Sequence, residues 1–132
     1  MSQENVELHH RAIEAFNRRD LETWLELADE RVEFVPLNLE LEGGSYRNHA
    51  GVRRFWADYL TVFPDFTVEA DEVRDLGEVT LALVRLRGHG TGSDVPFEQP
   101  IWHVVQWRRQ KCVSWHSFRS EAAALEAAGL SE

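Results

Sequence analysis

Residues 102–118, WHVVQWRRQKCVSWHSF, decide how this chain is read. Two runs rich in Val, Trp and Phe flank a basic, polar turn, which is the pattern of a long β-hairpin. With Arg109, Gln110 and Lys111 as the turn, Arg108 faces Cys112, Trp107 faces Val113, Val105 faces Trp115 and His103 faces Ser117. Successive side chains of a strand point to opposite sides, so these pairs divide into two faces. One face carries His103, Val105, Trp107, Val113, Trp115 and Ser117. It is apolar and aromatic with one titratable group, which suits the wall of a small-molecule pocket and equally an ordinary sheet core. The other carries Trp102, Val104, Gln106, Cys112, Ser114, His116 and Phe118. That face is half polar with large aromatics and reads as a subunit interface. A slip of one residue exchanges the two faces.

Upstream of the hairpin, helices come first and strands follow. Residues 4–18 carry Val6, His9, Ile13 and Phe16 at helical spacing, with Ala12 and Ala15 beside them. Asp20 caps a short second helix whose stripe is Leu21, Trp24, Leu25 and Ala28. Residues 31–35 alternate and end at Pro36 as a short strand. Leu37, Leu39 and Leu41 extend that strand or fold over as a flap, until Gly43–Gly44 breaks the pattern. Val52, Phe55, Trp56, Tyr59, Leu60 and Phe63 form the wide stripe of a third helix, stopped by Pro64. Strands are expected over 66–74, 79–90, 97–108 and 112–118, with Gly88, Gly90 and Gly92 bending the end of the second. Ser120 caps a last helical segment over 121–128, ended by Gly129. This order predicts one α+β domain over 1–132.

Size and charge narrow the function. A chain of 132 residues fits one core, and five Trp with seven Phe supply enough bulk to fill it or to line a cavity. The net charge of −9 repels phosphate backbones, so nucleic acid is not an expected partner. No apolar run approaches the roughly 20 residues that cross a bilayer, and the start, MSQENVELHH, has no apolar signal core. Cys112 is the single cysteine, so no internal disulfide forms and a Cys-based zinc cluster is excluded. These features fit a cytoplasmic protein. His9 is followed at i+4 by Ile13 and His10 by Glu14, which brings no His or Glu onto one face with both histidines, so no metal is expected.

Taken in order, EAFNRRDLETWLELADERVEF, SYRNHAGVRRFW, RLRGHGTGS and SFRSEAAALEAAGL resemble the SnoaL-like branch of the nuclear-transport-factor-2-like superfamily, which shares its fold with ketosteroid isomerases. The resemblance covers nearly the whole chain. It implies a cone: a curved antiparallel sheet wrapped around three N-terminal helices, with an apolar pocket open at one end. It also implies a homodimer through the outer sheet face, around Trp102, Val104, His116 and Phe118.

The family's known catalytic sets are each broken here. Where ketosteroid isomerases place a carboxylate base, this chain has Phe34, Val35 and Pro36, and the oxyanion-binding tyrosine position matches Ala12. The acid and arginine positions of limonene-type epoxide hydrolases match Val84, Leu86 and Ser117, with Arg85 and Arg87 on the opposite face. Trp115, His116 and Ser117 offer no carboxylate of the polyketide-cyclase kind, and Ser120 stands where an Asp is usual before the last helix. The usual hairpin Gly is Gln110.

What remains is a set of residues for a pocket. His103 can act as a general base or acid, oriented by Ser117 across the ladder, or it is a core histidine with a polar partner. Tyr46 and His49, ahead of the third helix, can donate to a ligand or serve helix entry. Trp24, Phe34, Trp56, Tyr59, Val84, Leu86, Val105 and Trp115 are the expected apolar walls. Three readings follow. One is a binding protein for an aromatic, terpenoid or polyketide-like compound. Another is a cyclase, isomerase or dehydratase with His103 as base. The third is a dimerisation module with a filled core. No cofactor is implied. All rest on imidazole 103 and indole 115 turning toward the hollow of the sheet.

Overall fold

Leu8, His9, Ala12, Ile13, Ala15 and Phe16 recur along one side of the first helix, α1 (Ser2–Asn17), and are buried. These contacts come from a computed structural model that describes residues 2–36, 45–89 and 96–129. Asn17 then ties the end of α1 to the sheet, donating to the Val68 carbonyl and accepting from its N–H at 2.8 and 2.9 Å. Asp20 caps α2 (Leu21–Glu26) by accepting from the Thr23 N–H at 3.2 Å, as expected from its side chain. Strand β1 (Ala28–Val35) follows, then β2 (Tyr46–Arg47) and α3 (Asn48–Val62). Gly51 lets α3 start close against β2: a Cβ there would meet the Tyr46 carbonyl carbon at 3.0 Å. Strands β3 (Thr67–Asp75), β4 (Val79–His89), β5 (Pro96–Arg108) and β6 (Lys111–Phe118) lead to a short C-terminal helix, α4 (Glu121–Ala127). Ser120 caps it, accepting from the Ala123 N–H at 3.1 Å.

The six strands form one open sheet in the order β2-β1-β6-β5-β4-β3. This is the α+β cone expected from the sequence. Antiparallel pairing joins every neighbour except β1 and β6, which run parallel, so the sheet is mixed where the hairpin meets the first strand. Register shifts interrupt the β1–β6, β3–β4 and β5–β6 ladders; those in β3–β4 and β5–β6 each set one extra residue against the partner strand, as a bulge does. Helices α1, α2 and α3 share one core with the inner sheet face, through Trp24, Phe55 and Trp56 against Val84, Val105 and Trp115.

The hairpin corrects part of the sequence reading. Its turn is two residues, Arg109 and Gln110, both left-handed at φ 53° and 66°, as a tight hairpin turn requires. Arg108 therefore pairs with Lys111 and Trp107 with Cys112, not Arg108 with Cys112 or Trp107 with Val113. A bulge between Gln106 and Trp107 then restores the expected register, so Val105 faces Trp115 and His103 faces Ser117. Cys112 moves to the inner face and is buried in the main core, while Val113, the extra residue, is only partly buried. Gly88 does not interrupt β4, whose ladder runs through it to His89. The expectations for Leu37, Leu39, Leu41 and Gly43–Gly44, and for Gly90 and Gly92, fall outside the described residues.

The outer sheet face is not bare. Helix α4 lies on it and makes a second core from Leu81, Val104 and Ala124, with Trp102 and Phe118 packed against it. Val104 is buried, and Trp102, His116 and Phe118 remain half-buried. Farther along β4, Arg85 and Arg87 point outward into a ladder of acids: Arg85 binds both oxygens of Asp71 and reaches Glu98, and Arg87 binds Glu98 at 2.6 Å. Glu33 likewise points outward, to Arg47 at 3.0 Å. No described helix is long and apolar enough to cross a membrane.

Candidate functional site: an aromatic cavity with one imidazole

The space between the helices and the inner sheet face is not fully filled. A cavity of about 50 Å³ lies among Ala12, Ile13 and Phe16 of α1, Trp24 of α2, Phe34 of β1 and Phe55 and Trp56 of α3. Phe66, Val68, His103 and Trp115 complete its wall. Period-2 alternation on β5 and β6 delivers the last two rings to one face. Their centroids are 5.1 Å apart in an edge-to-face arrangement. Trp24 packs on Phe34 at 5.8 Å and on Trp115 at 5.7 Å, and Phe34 packs on Phe55 at 4.5 Å. Among the described residues, imidazole 103 is the one ionisable group in this wall.

Burial pushes the His103 pKa down to about 3, so the ring is neutral near pH 7. Its Nδ1 is buried with no hydrogen-bond partner among the described residues. Ser117 sits opposite on β6 and is buried, yet no hydrogen bond joins the two among the described residues. Behind the cavity lies a second imidazole. His9 of α1 is fully buried, 4.8 Å from Trp115 and 6.3 Å from His103 between ring centroids. Thr80 of β4 lies 2.7 Å from His9 Nδ1 through its Oγ1, which also accepts from Trp107 Nε1 at 2.9 Å. Burial, and then the nearby His103 and His10, pull the His9 pKa well below the usual imidazole value. His9 Nε2 is the other buried nitrogen without a partner among the described residues.

Five of the expected site residues thus meet around one cavity: Trp24, Phe34, Trp56, His103 and Trp115. Val84 and Val105 are buried in the same core, and Leu86 packs on it, outside the cavity wall. Tyr59 stacks on Phe55 at 4.4 Å, also outside that wall, and burial pushes its phenol up to about 12. Tyr46 donates its hydroxyl to Asp58 at 3.4 Å, and His49 Nε2 donates to the Ala28 carbonyl at 3.1 Å. Neither residue lines the cavity. His9 and Thr80 escaped the sequence reading. The signal for His9 was a polar residue inside an apolar helical stripe. Thr80 gives no local signal, because its partners are 71 and 27 residues away.

Residues 9–115 match the model of the SnoaL-like domain. The chain belongs to this SnoaL-like family. No curated protein sequence matches this SnoaL-like chain. Solved structures show the same fold at low identity. One is a nuclear-transport-factor-2-like protein of unknown function from Burkholderia pseudomallei, 21% identical, with 93% of this chain and 95% of that one covered and a TM-score of 0.78. TerC, co-crystallised with polyporic acid, is 22% identical, with coverages of 93% and 96% and a TM-score of 0.76. A protein with the ketosteroid isomerase-like fold from Catenulispora acidiphila, in complex with trimethylamine, is 16% identical, with coverages of 94% and 93% and a TM-score of 0.77.

Proposed function

We propose that this SnoaL-like protein binds a small apolar or aromatic molecule in the cavity between its helices and its sheet. One observation carries the reading: a space walled by aromatic rings in which a neutral, buried imidazole is the one ionisable group among the described residues. Binding sites combine such apolar walls with few, placed polar atoms. The fold's capacity to hold organic compounds, as in TerC with polyporic acid and the Catenulispora protein with trimethylamine, supports the reading.

Size sets the class of ligand. About 50 Å³ is well below the roughly 300 Å³ of ordinary ligand pockets, so the space as it stands takes only a compact group. A fused-ring aromatic, terpenoid or polyketide-like compound needs more room than this and enters only if the wall opens. The same small volume favours a second reading, a filled-core dimerisation module whose contact surface is the part of the outer face that α4 leaves open, at Trp102, His116 and Phe118. Catalysis of the cyclase, isomerase or dehydratase kind has less support. A base whose conjugate acid has a pKa of about 3 accepts protons poorly at pH 7, and the Tyr46 hydroxyl is engaged by Asp58.

Native mass spectrometry separates the two leading readings. Binding is expected to leave a saturable adduct when the protein is offered a panel of monocyclic aromatics, and the adduct persists in His103→Leu. A protein that retains none of the panel at millimolar concentration, while running as a dimer, is the filled-core module.

A further inference from the structure

Phe66 differs from the rest of the cavity lining. Among the described residues, every other lining residue stands on a helix or a strand, whereas Phe66 lies in the connection between α3 and β3. Its neighbours in the chain face elsewhere. Asp65 and Thr67 line a separate groove of about 490 Å³, together with Arg87, His89, Phe97 and Glu98. Residues 63–67 therefore form a partition one chain thick, with the cavity on the Phe66 side and the groove on the Asp65 and Thr67 side. Phe63 and Phe97, at 6.0 and 6.1 Å from Phe66 between ring centroids, are only half-buried.

Side chains hold this partition from both ends. Arg19, left-handed at φ 60°, donates to the carbonyls of Phe16, Pro64 and Phe66 at 3.0, 2.9 and 2.7 Å, which ties the partition to the end of α1. Asp65 accepts from the His89 backbone N–H at 2.9 Å and from its Nδ1 at 2.6 Å, which ties it to the end of β4. Gly88 lets β4 come that close: a Cβ there would meet Asp65 Oδ1 at 3.2 Å and the Phe66 Cα at 3.3 Å. The Phe66 N–H bonds locally, to the Phe63 carbonyl at 3.0 Å. A segment held by a few side-chain bonds opens at a lower free energy than a strand inside a ladder.

We infer that residues 63–67 are the door of the binding site: releasing the Arg19 and His89 ties moves Phe66 aside and joins the cavity to the groove, so that the site takes an elongated two-ring aromatic, one ring in the cavity and the other along Phe97. This rests on the binding reading above and deepens it. The groove alone exceeds the roughly 300 Å³ at which ordinary ligand pockets begin, so the joined space removes the size limit set by the closed cavity. Arg19, Asp65 and His89 are positioning residues here, because they act through the segment that carries Phe66.

Fluorine NMR with two probes tests this on the whole protein. Arg19→Met and His89→Ala each remove one tie, and Arg53→Met, which breaks the exposed Arg53–Glu22 pair, is the control. Fluorobenzene is expected to occupy the closed cavity, so in both tie variants its association and dissociation rates rise about fivefold at constant Kd, the worth of one typical hydrogen bond. 4-Fluorobiphenyl needs the open form, so its Kd is expected to fall about fivefold as that form gains population. Wild-type rates and affinities in both tie variants, or the same changes in Arg53→Met, overturn the door. Faster fluorobenzene exchange without tighter 4-fluorobiphenyl overturns the joined pocket. Failure of fluorobenzene to bind the wild type removes the binding reading itself. Hydrogen exchange of the wild type reads the opening without any variant. The Phe66 and His89 amides are expected to exchange through one shared opening, well before those at the centre of β5, and protection equal to the central β5 amides overturns the inference.

Discussion

Trp115→Ala is expected to cost about 3–5 kcal/mol of folding stability, the range for deleting a large buried aromatic. The indole is 4% exposed and stands where the sheet, α1 and α2 meet. It touches Trp24 at 5.7 Å, His9 at 4.8 Å, His103 at 5.1 Å and Phe34 at 6.4 Å between ring centroids. Alanine there joins the lost indole volume to the existing cavity and removes four ring contacts at once. Domains of this kind hold only about 5–15 kcal/mol in total, so the variant is expected near its unfolding threshold at 37 °C. Urea denaturation at 25 °C, with Trp102→Ala as the control from the half-buried outer face, reads the difference. The control is expected to lose clearly less. Equal losses at the two positions would mean that the inner face is not the centre of the fold. Indole added to Trp115→Ala is expected to recover part of the loss, since a ligand that binds only the folded state stabilises it by mass action.

Acidification is expected to produce the second large effect. An unfolded His titrates near pH 6.5, and His103 in the fold near 3, so between those values the unfolded chain holds a proton that the native one lacks. The contribution of neutral His103 is therefore fully present above about pH 6.5 and drains away as pH falls toward about 3. Going from pH 7.5 to 4.5 crosses about two pH units of that window, a loss on the order of 3 kcal/mol. His9 adds to the loss in the same direction, its pKa being lowered by burial first and then by its histidine neighbours. Urea midpoints measured at both pH values in wild type and His103→Leu separate the term, because leucine has no proton to gain. The variant is expected to lose about a hundredfold less in folding equilibrium over this range. Parallel losses in the two proteins would mean that His103 is solvated and titrates normally.

Much of this arrangement is legible in the sequence because it is local and periodic. Alternation along 102–118 puts His103, Val105 and Trp115 on one face, and Asp20 and Ser120 announce their helices by the caps they make. What failed was a matter of one residue. Nothing in RRQK marks a two-residue turn, since Arg109 and Gln110 take left-handed conformations usually left to Gly or Asn. The bulge at Val113 then hides the error by the time Trp115 is reached, so the pairings beyond it come out as expected. Tyr46, in the strand before α3, and His49, in the first turn of α3, were expected as ligand donors from their place at the helix entry. Their actual partners, Asp58 and the Ala28 carbonyl, lie 12 and 21 residues away and depend on how α3 folds back on β1. The position of α4 on the outer face is equally invisible in EAAALEAAGL, whose small apolar residues suit either face of the sheet.

Indole N–H resonances test most directly whether the cavity is a binding site. Three of the five tryptophans, Trp24, Trp56 and Trp115, line it, whereas Trp102 sits on the opposite face beside α4. Titration of the nitrogen-15-labelled protein with toluene is expected to shift the three lining signals along one saturable curve and to leave Trp102 still. In Ala12→Val, whose added methyl groups occupy the 50 Å³ space, those shifts are expected to vanish while the fold persists. Lining signals that do not move in the wild type up to the solubility of toluene, or that move equally in Ala12→Val, would contradict a ligand site at this place.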